Sequence, residues 1–285
     1  MTIVQEVFSL PVDGADCFCI YRAPADHVTG IVLHLPAFAD EMNKSRAMTA
    51  RAARALAACG FGVLQIDLLG CGDSGGEHKD ATYAAWTDNL LRAVDWLRRR
   101  NGPSVGLWLW GLRAGALLAP NIVARFPTAS LLLWQPMLSG TQLLNHLLRQ
   151  KSAADMLGPG GDRTSTSALR ERLLAGEALE VGGYAISPAL ASDLAEQTFA
   201  LPESFRGMIA WFEVGPGASG APPPAARGRI EALRSAGLSV DVRTIQGPGF
   251  WQSVEIERCE ALIESSVDAM ETMRTHGLSR DTVIL

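Results

Sequence analysis

The sequence predicts an α/β fold, with a mostly parallel central sheet and helices on both of its faces. Short apolar runs alternate along the chain with longer segments whose apolar residues recur at helical spacing. Glycines and prolines mark many of the boundaries between them. The 285 residues, 48 % of them hydrophobic, suffice to bury a large core in one elaborated domain or in two small ones.

The alternation is clearest in the first half of the chain. Residues 30–34 read GIVLH, a short apolar run typical of a buried strand. Residues 44–59 are rich in alanine, arginine and leucine at helical spacing, and Gly60 is expected to end this helix. A second strand is predicted at 62–66 and a second helix at 83–99, with a glycine-rich loop between them.

The middle of the chain first continues this pattern and then leaves it. An apolar run at 105–110 predicts a strand, a helix is expected from about residue 116, and 131–134 predicts another strand. The periodicity then breaks between residues 139 and 205, where turn signals such as the GPGG run at 158–161 appear. We interpret this stretch as a mostly helical insertion, called the cap below, placed to cover the strand ends.

The pattern returns in the last part of the chain. Strands are predicted at 208–212 and 238–245, and helices near 225–235 and 254–273. The predicted domain organisation is therefore a core made of residues 1–138 and 206–285, interrupted by the cap at 139–205.

Residues 111–115, with the sequence Gly-Leu-Arg-Ala-Gly, are the most informative segment. They stand between an apolar run and a helical segment, which is the setting of the G-x-S-x-G nucleophile elbow of α/β-hydrolases. The two glycines permit a sharp turn and a close backbone approach. The central residue is Arg113, whose guanidinium cannot attack a carbonyl carbon. We call residues 111–115 the elbow.

Two further segments resemble α/β-hydrolases. HLPAF at 34–38 occupies the place of their His-Gly oxyanion loop, and DLLGCGDS at 67–74 is similar to their D-x-x-G-x-G-x-S turn. More narrowly, PAFADEMNKSR at 36–46, with WGLR at 110–113 and FWQ at 250–252, resembles the group called exosortase A system-associated hydrolase 2. This resemblance implies the α/β-hydrolase fold and classification as a hydrolase. It also implies an association with exopolysaccharide export and PEP-CTERM protein sorting in Gram-negative bacteria.

The residues that acyl hydrolysis requires are altered at every position. A nucleophile, a histidine base, an acid and an oxyanion hole are needed, yet QGPGFW at 246–251 lacks the histidine and VGPGAS at 214–219 lacks the carboxylate, with Glu213 nearest. The five histidines lie elsewhere in the sequence: His27, His34, His78, His146 and His276. A Ser-His-Asp mechanism is therefore not expected.

The oxyanion loop also departs from the usual pattern. Its second residue is Leu35, and Pro36 has no N–H group to donate. The backbone N–H groups of Ala37, Phe38 or Ala114 remain as possible donors.

Arg113 is predicted to have an anionic partner, because a cation at a helix N-terminus opposes the helix dipole and arginine keeps its proton. One candidate is an internal carboxylate, from Asp40 or Glu41 after the 30–34 strand or from Glu213. The other is a bound carboxylate or phosphate, held by the guanidinium fork. A direct catalytic role for Arg113 is the third alternative.

Three other features each admit a structural and a functional interpretation. Residues 40–46 are either a solvated loop that leads into a helix with Asn43 as N-cap, or a polar wall of the crevice at the strand ends. Phe250 and Trp251, in the place of the missing base, either pack in the core or stack against a sugar or acyl group. Cys71 is a candidate substitute nucleophile if His34 or His78 approaches it.

The elbow crevice is the predicted ligand site. The residues expected to line it are Arg113, Leu112, Ala114, Ala37, Phe38, Glu41, Phe250 and Trp251. The predicted function is binding of a small anionic or acyl ligand, or of a protein from an export or sorting system. The alternative is an active esterase, thioesterase or acyltransferase with non-standard catalytic residues.

Composition restricts the other possibilities. The net charge of −5, without a long basic run, disfavours nucleic acid as a partner. No apolar stretch is long enough to span a bilayer, and no basic flank leads into an apolar segment at the N-terminus, so neither a membrane span nor a signal peptide is expected. The five scattered cysteines lack zinc-ligand spacing and suggest reduced thiols in a cytoplasmic protein. No metal and no cofactor are predicted.

Overall fold

A computed structural model describes residues 2–157, 164–217, 221–253 and 255–281, with side chains up to residue 275. The strands of this part are β1 (Ile3–Val12), β2 (Ala15–Pro24), β3 (Gly30–Leu35), β4 (Phe61–Ile66), β5 (Leu107–Leu112), β6 (Ser130–Trp134), β7 (Leu179–Val181), β8 (Tyr184–Ile186), β9 (Ile209–Gly215) and β10 (Val240–Gln246). The α-helices are α1 (Asp40–Ala58), α2 (Tyr83–Asn101), α3 (Ala119–Arg125), α4 (Gly140–Leu157), α5 (Thr166–Leu174), α6 (Pro188–Glu196), α7 (Pro224–Ser235) and α8 (Glu260–Asp281).

Eight of these strands form one sheet, in the order β1-β2-β4-β3-β5-β6-β9-β10. Strand β2 pairs antiparallel with β1 and β4, and the other neighbours in the sheet are parallel. The predicted, mostly parallel sheet is therefore confirmed. The carboxyl ends of its parallel strands meet at one edge, which is where open α/β sheets usually bind ligands.

Helices cover both faces of the sheet, as predicted. Consecutive strand residues point to opposite faces, so Leu109 joins an apolar cluster with α2 and α3, whereas Trp110 joins a second cluster with α1 and α8. Four tryptophans in these clusters are completely buried: Trp86, Trp110, Trp134 and Trp211.

The expected start of α1 was wrong by four residues. The helix begins at Asp40, so Asn43 lies inside it and is not its N-cap. Ala39 precedes the helix with a φ of 52°, and no side chain caps the helix. The amide of Met42 donates to the carbonyl of Ala39 at 3.0 Å, which closes the first turn. Gly60 ends the helix as expected, with a φ of 97°.

The cap contains α4, α5, the antiparallel hairpin β7–β8 and α6. The sequence does not predict this hairpin, because its strands have only three residues each and are too short to show alternation of apolar and polar residues. The predicted GPGG turn at 158–161 lies outside the described residues. The last helix was expected to begin near residue 254, which also lies outside them. In the structure this helix, α8, starts at Glu260. The boundaries of the cap as a domain stay a prediction.

Close backbone contacts hold the elbow in place. A Cβ added at Gly115 would lie 2.1 Å from the carbonyl oxygen of Leu35 and 2.6 Å from that of Pro36. At Gly111 it would lie 3.0 Å from the Cα of Ala116. The segment after β3 therefore packs directly against the elbow, with glycine as the residue that fits at position 115.

We expect Gly115→Ala to lower the free energy of unfolding by about 3 kcal/mol or more, because the added methyl group meets backbone atoms that cannot rotate away. Urea denaturation measures the change. The matched control is Gly106→Ala, since a Cβ at Gly106 meets nothing within 4 Å. This control should change stability by less than about 1 kcal/mol. Equal effects of the two substitutions would contradict the close approach.

Candidate functional site

Arg113 adopts the strained backbone conformation of an elbow residue. It follows β5 directly, and its φ of 53° lies in the left-handed region that favours glycine. It also begins a 3₁₀ helix, Arg113–Leu118. Its carbonyl oxygen accepts a hydrogen bond from the amide of Met137 at 3.0 Å. The turn thus keeps the geometry that exposes a nucleophile, with a cation in that position.

Glu41 is the partner of Arg113. The Nε of Arg113 lies 3.2 Å from both carboxylate oxygens of Glu41, and its Nη2 lies 3.0 Å from Oε1. The side chains of Arg113 and Glu41 are only 15 % and 6 % exposed. The anionic partner predicted for Arg113 is therefore an internal carboxylate, which lies in the first turn of α1. A forked, charge-assisted pair of this kind is a strong interaction when it is screened from water.

The other two candidate carboxylates, those of Asp40 and Glu213, make no hydrogen bond or ion pair with Arg113 in the described structure. Asp40 forms a more exposed ion pair with Lys44 at 2.7 Å. Glu213 is buried and accepts hydrogen bonds from Trp211 Nε1 at 2.7 Å and from Gln135 Nε2 at 2.8 Å. Burial raises the pKa of Glu213, and these two hydrogen bonds and the charge of Arg113 oppose that rise.

Three further groups surround the pair. The guanidinium carbon of Arg113 lies 5.2 Å from the ring centre of Trp251, a cation–π contact. Its Nη1 makes one long contact, 3.5 Å from the carbonyl oxygen of Gln135. The Nε2 of His146, on α4 of the cap, lies 3.5 Å from Oε1 of Glu41. We call Arg113, Glu41, Trp251 and His146 the elbow site.

His146 is the residue of this site that the sequence did not indicate. Its Nε2 is buried and has no hydrogen-bond partner among the described residues. Burial lowers the pKa of His146. The negative charge of Glu41 raises this pKa, whereas the positive charges of Arg113 and Arg149 lower it further. The imidazole is therefore mainly neutral at neutral pH.

The other predicted lining residues are buried in the core. Leu112, Ala114 and Ala37 are at most 1 % exposed. Phe38 packs against Trp86 at a ring distance of 4.8 Å. Phe250 packs edge-on against Trp134 and Trp251. The packing interpretation of the aromatic residues agrees with these contacts, and their role in ligand binding stays a prediction.

The structure does not favour Cys71 as a nucleophile. Burial raises the pKa of its thiol to about 12, so the reactive thiolate is scarce at neutral pH. Burial also lowers the pKa of His34 to about 3, and Nδ1 of His78 is hydrogen-bonded to the carbonyl oxygen of Ala185 at 2.8 Å. Among the described residues, no histidine forms a hydrogen bond with Cys71.

Four cavities stand out in the described part of the chain, and Arg113 lines none of them. In the same part of the chain, no three metal-ligating side chains converge. None of its helices has the length and apolar character that a membrane crossing requires.

Solved structures identify the fold. Est1E from Butyrivibrio proteoclasticus, with bound ferulic acid, superposes with a TM-score of 0.62 at 14 % identity, over 93 % of this chain and 98 % of that one. A thermostable carboxyl esterase from Bacillus coagulans, in complex with glycerol, gives 0.56 at 15 % identity, over 96 % and 100 %. Alpha/beta hydrolase domain-containing protein 10 from mouse gives 0.55 at 13 %, over 94 % and 97 %.

These similarities establish that the chain has the α/β-hydrolase fold. At 13 to 15 % identity they establish the fold alone. No protein-family model and no curated protein matches the sequence.

We expect Glu41→Gln to lower the free energy of unfolding by about 3 kcal/mol, because it leaves the guanidinium of Arg113 mostly buried without a counter-charge. Replacing both partners by methionine should recover most of this loss, since no unpaired charge then remains. Chemical denaturation measures both changes.

The matched control for this prediction is Asp40→Asn, which removes the neighbouring carboxylate from its exposed pair with Lys44. It should change stability by less than about 1 kcal/mol. A loss in Glu41→Gln no larger than that of this control would show that the Arg113–Glu41 pair does not stabilise the fold.

Proposed function

We propose that this protein acts by binding and not by acyl hydrolysis. The observation that carries the proposal is the residue at the tip of the elbow: Arg113 keeps the backbone conformation of a nucleophile, yet Glu41 engages its side chain. Glu213 lies within β9 and is held by Trp211 and Gln135, whereas Trp251 follows β10 and covers the guanidinium. Neither residue is the histidine base that a Ser-His-Asp mechanism requires, and Arg113 is not a nucleophile.

The elbow site is better suited to a neutral acyl group than to an anion. Glu41 already neutralises the charge of Arg113, and its carboxylate would repel a second anion. The Nη1 of Arg113 retains donor capacity, because its contact with the Gln135 carbonyl is 3.5 Å long. An acyl carbonyl oxygen can accept a hydrogen bond from Nη1 without adding a charge to the site.

The resemblance of residues 36–46 to exosortase A system-associated hydrolase 2 supports a biological setting for this function. We propose that the protein works in the cytoplasm beside exopolysaccharide export and protein sorting. In place of an acyl ligand, a protein of the export or sorting system could bind the surface around the elbow.

A second candidate function is hydrolysis with rearranged residues. It is favoured by one observation, the 3.5 Å distance between Oε1 of Glu41 and Nε2 of His146. His146 is mainly neutral and lies on α4 of the cap. Such a pair could take a proton from a water molecule. The engagement of Glu41 by Arg113 opposes this role, because the carboxylate oxygens already accept hydrogen bonds from the guanidinium.

One experiment with methyl butyrate separates the two functions. In proton NMR, saturation transfer from the protein to the ester reports contact, and the appearance of methanol reports cleavage. We expect contact and no cleavage faster than about 0.01 s⁻¹, a hundredfold below the low end of common turnover numbers. Arg113→Met should abolish the contact, because it removes Nη1 and keeps most of the stem.

The control for this experiment is Arg149→Met, which removes an exposed cation from the same cap helix and should leave the contact unchanged. Methanol formation that disappears in Glu41→Gln or His146→Ala would establish the hydrolase alternative. Absence of contact in the wild-type protein would reject the acyl ligand and leave a protein as the partner.

A further inference from the structure

Arg22, on β2, is a buried cation without a counter-charge, and it lies away from the elbow site. The residue is only 4 % exposed. Its Nε donates to Oε1 of Gln5 at 2.9 Å, and its Nη1 donates to Oε1 of Gln65. No carboxylate lies within ion-pair distance of it in the described part of the chain. Burial and the like charge of Arg54 lower the pKa of Arg22.

An uncompensated guanidinium in this position is costly. Amide oxygens provide dipoles but no charge, so they offset only part of the loss of hydration. Within the described residues, Nη2 of Arg22 makes no hydrogen bond. A buried cation with a spare donor indicates a site where an anion completes the pair.

Arg22 lines a cavity between α1 and strands β2 and β4, which we call the α1 cavity. Its volume is about 230 Å³, below the range of roughly 300–1,000 Å³ that is usual for drug-sized ligands. Much of its wall is apolar, from side chains that include Phe18, Ile20, Met42 and Ile66. Phe18 and Ile20 are partly exposed.

The other polar groups of the α1 cavity do not neutralise Arg22. Asp67 is engaged by Arg46, with 2.9 Å between Oδ2 and Nη2, and it also accepts from the amide of Asp73 at 3.0 Å. His34 lines the cavity as a neutral group, because burial lowers its pKa to about 3. The cavity therefore carries one excess positive charge, at Arg22.

We propose that the α1 cavity binds a small organic monocarboxylate, with its carboxylate on Arg22 and its apolar body against Phe18, Ile20 and Met42. One unpaired cation matches one negative charge, whereas a phosphate dianion would place a second charge near Asp67. The small volume limits the body to a short acyl chain or a single ring. This site is independent of the elbow and of any acyl group bound there.

The test uses benzoate and butyrate as probes, with benzamide as a neutral match of benzoate and inorganic phosphate as the competing anion. Two-dimensional amide NMR of the full chain locates binding, and calorimetry measures affinity. We expect both carboxylates to shift the amides of β2 and of the first turns of α1. Benzamide should bind at least about tenfold more weakly than benzoate, because the charge-assisted contact is lost.

Two variants assign the binding to Arg22. Arg22→Met keeps the apolar stem and should weaken benzoate at least about tenfold, whereas Arg54→Met removes a neighbouring exposed cation and should change the affinity less than about threefold. Circular dichroism checks that both variants fold. Arg22→Lys keeps the charge without the fork and should retain part of the affinity, so it serves as the second variant if Arg22→Met does not fold.

Any of the following results would overturn the proposal. The first is the absence of any amide shift with either carboxylate at about 20 mM, a concentration above the millimolar dissociation constants of weak complexes. The second is equal affinity for benzamide, or undiminished affinity in Arg22→Met. The third is a set of shifts centred on residues 111–115, which would place the carboxylate at the elbow. The fourth is tighter binding of phosphate than of either carboxylate.

Discussion

The ion pair between Arg113 and Glu41 is the interaction on which the carboxyl edge of the sheet depends. It joins the tip of the elbow to the first turn of α1, and Trp251 and His146 then pack around it. Because both charges are mostly buried, neither can be changed alone without leaving the other uncompensated. The early start of α1 follows from the same constraint, since a helix that began at residue 44 would leave Glu41 in a loop, without a fixed orientation.

The elbow shows that a backbone geometry can persist when its chemistry changes. Three non-glycine residues of the described chain have positive φ, namely Ala39, Arg113 and Gln135. All three lie near the carboxyl edge of the sheet, and Ala39 and Gln135 neighbour the residues that hold Arg113. Strain of this kind persists when the surrounding structure determines it. Here the close approach of Gly115 to the carbonyl groups of Leu35 and Pro36 does so.

The sequence was sufficient for the fold and for part of the site. Alternating strands and helices predicted the parallel sheet. The cation in the elbow predicted an anionic partner, either a bound anion or an internal carboxylate, and Glu41 was among the carboxylates named. His146 could not be inferred, because no periodicity specifies how the cap lies on the core. The N-terminus of α1 was missed because Ala39 carries none of the side-chain signals of a cap. Arg22 gave no signal either, since only the packed structure shows that an arginine on a strand lacks a partner.

Glu41 and Arg113 are 72 residues apart in the sequence, and this separation has a kinetic consequence. Contacts between distant residues form only after the intervening loop has closed, which in this case requires β3 and β5 to be aligned first. We therefore expect the pair to form late in folding and to contribute little to the folding rate. Its stabilisation would then act by slowing the unfolding of the carboxyl edge of the sheet.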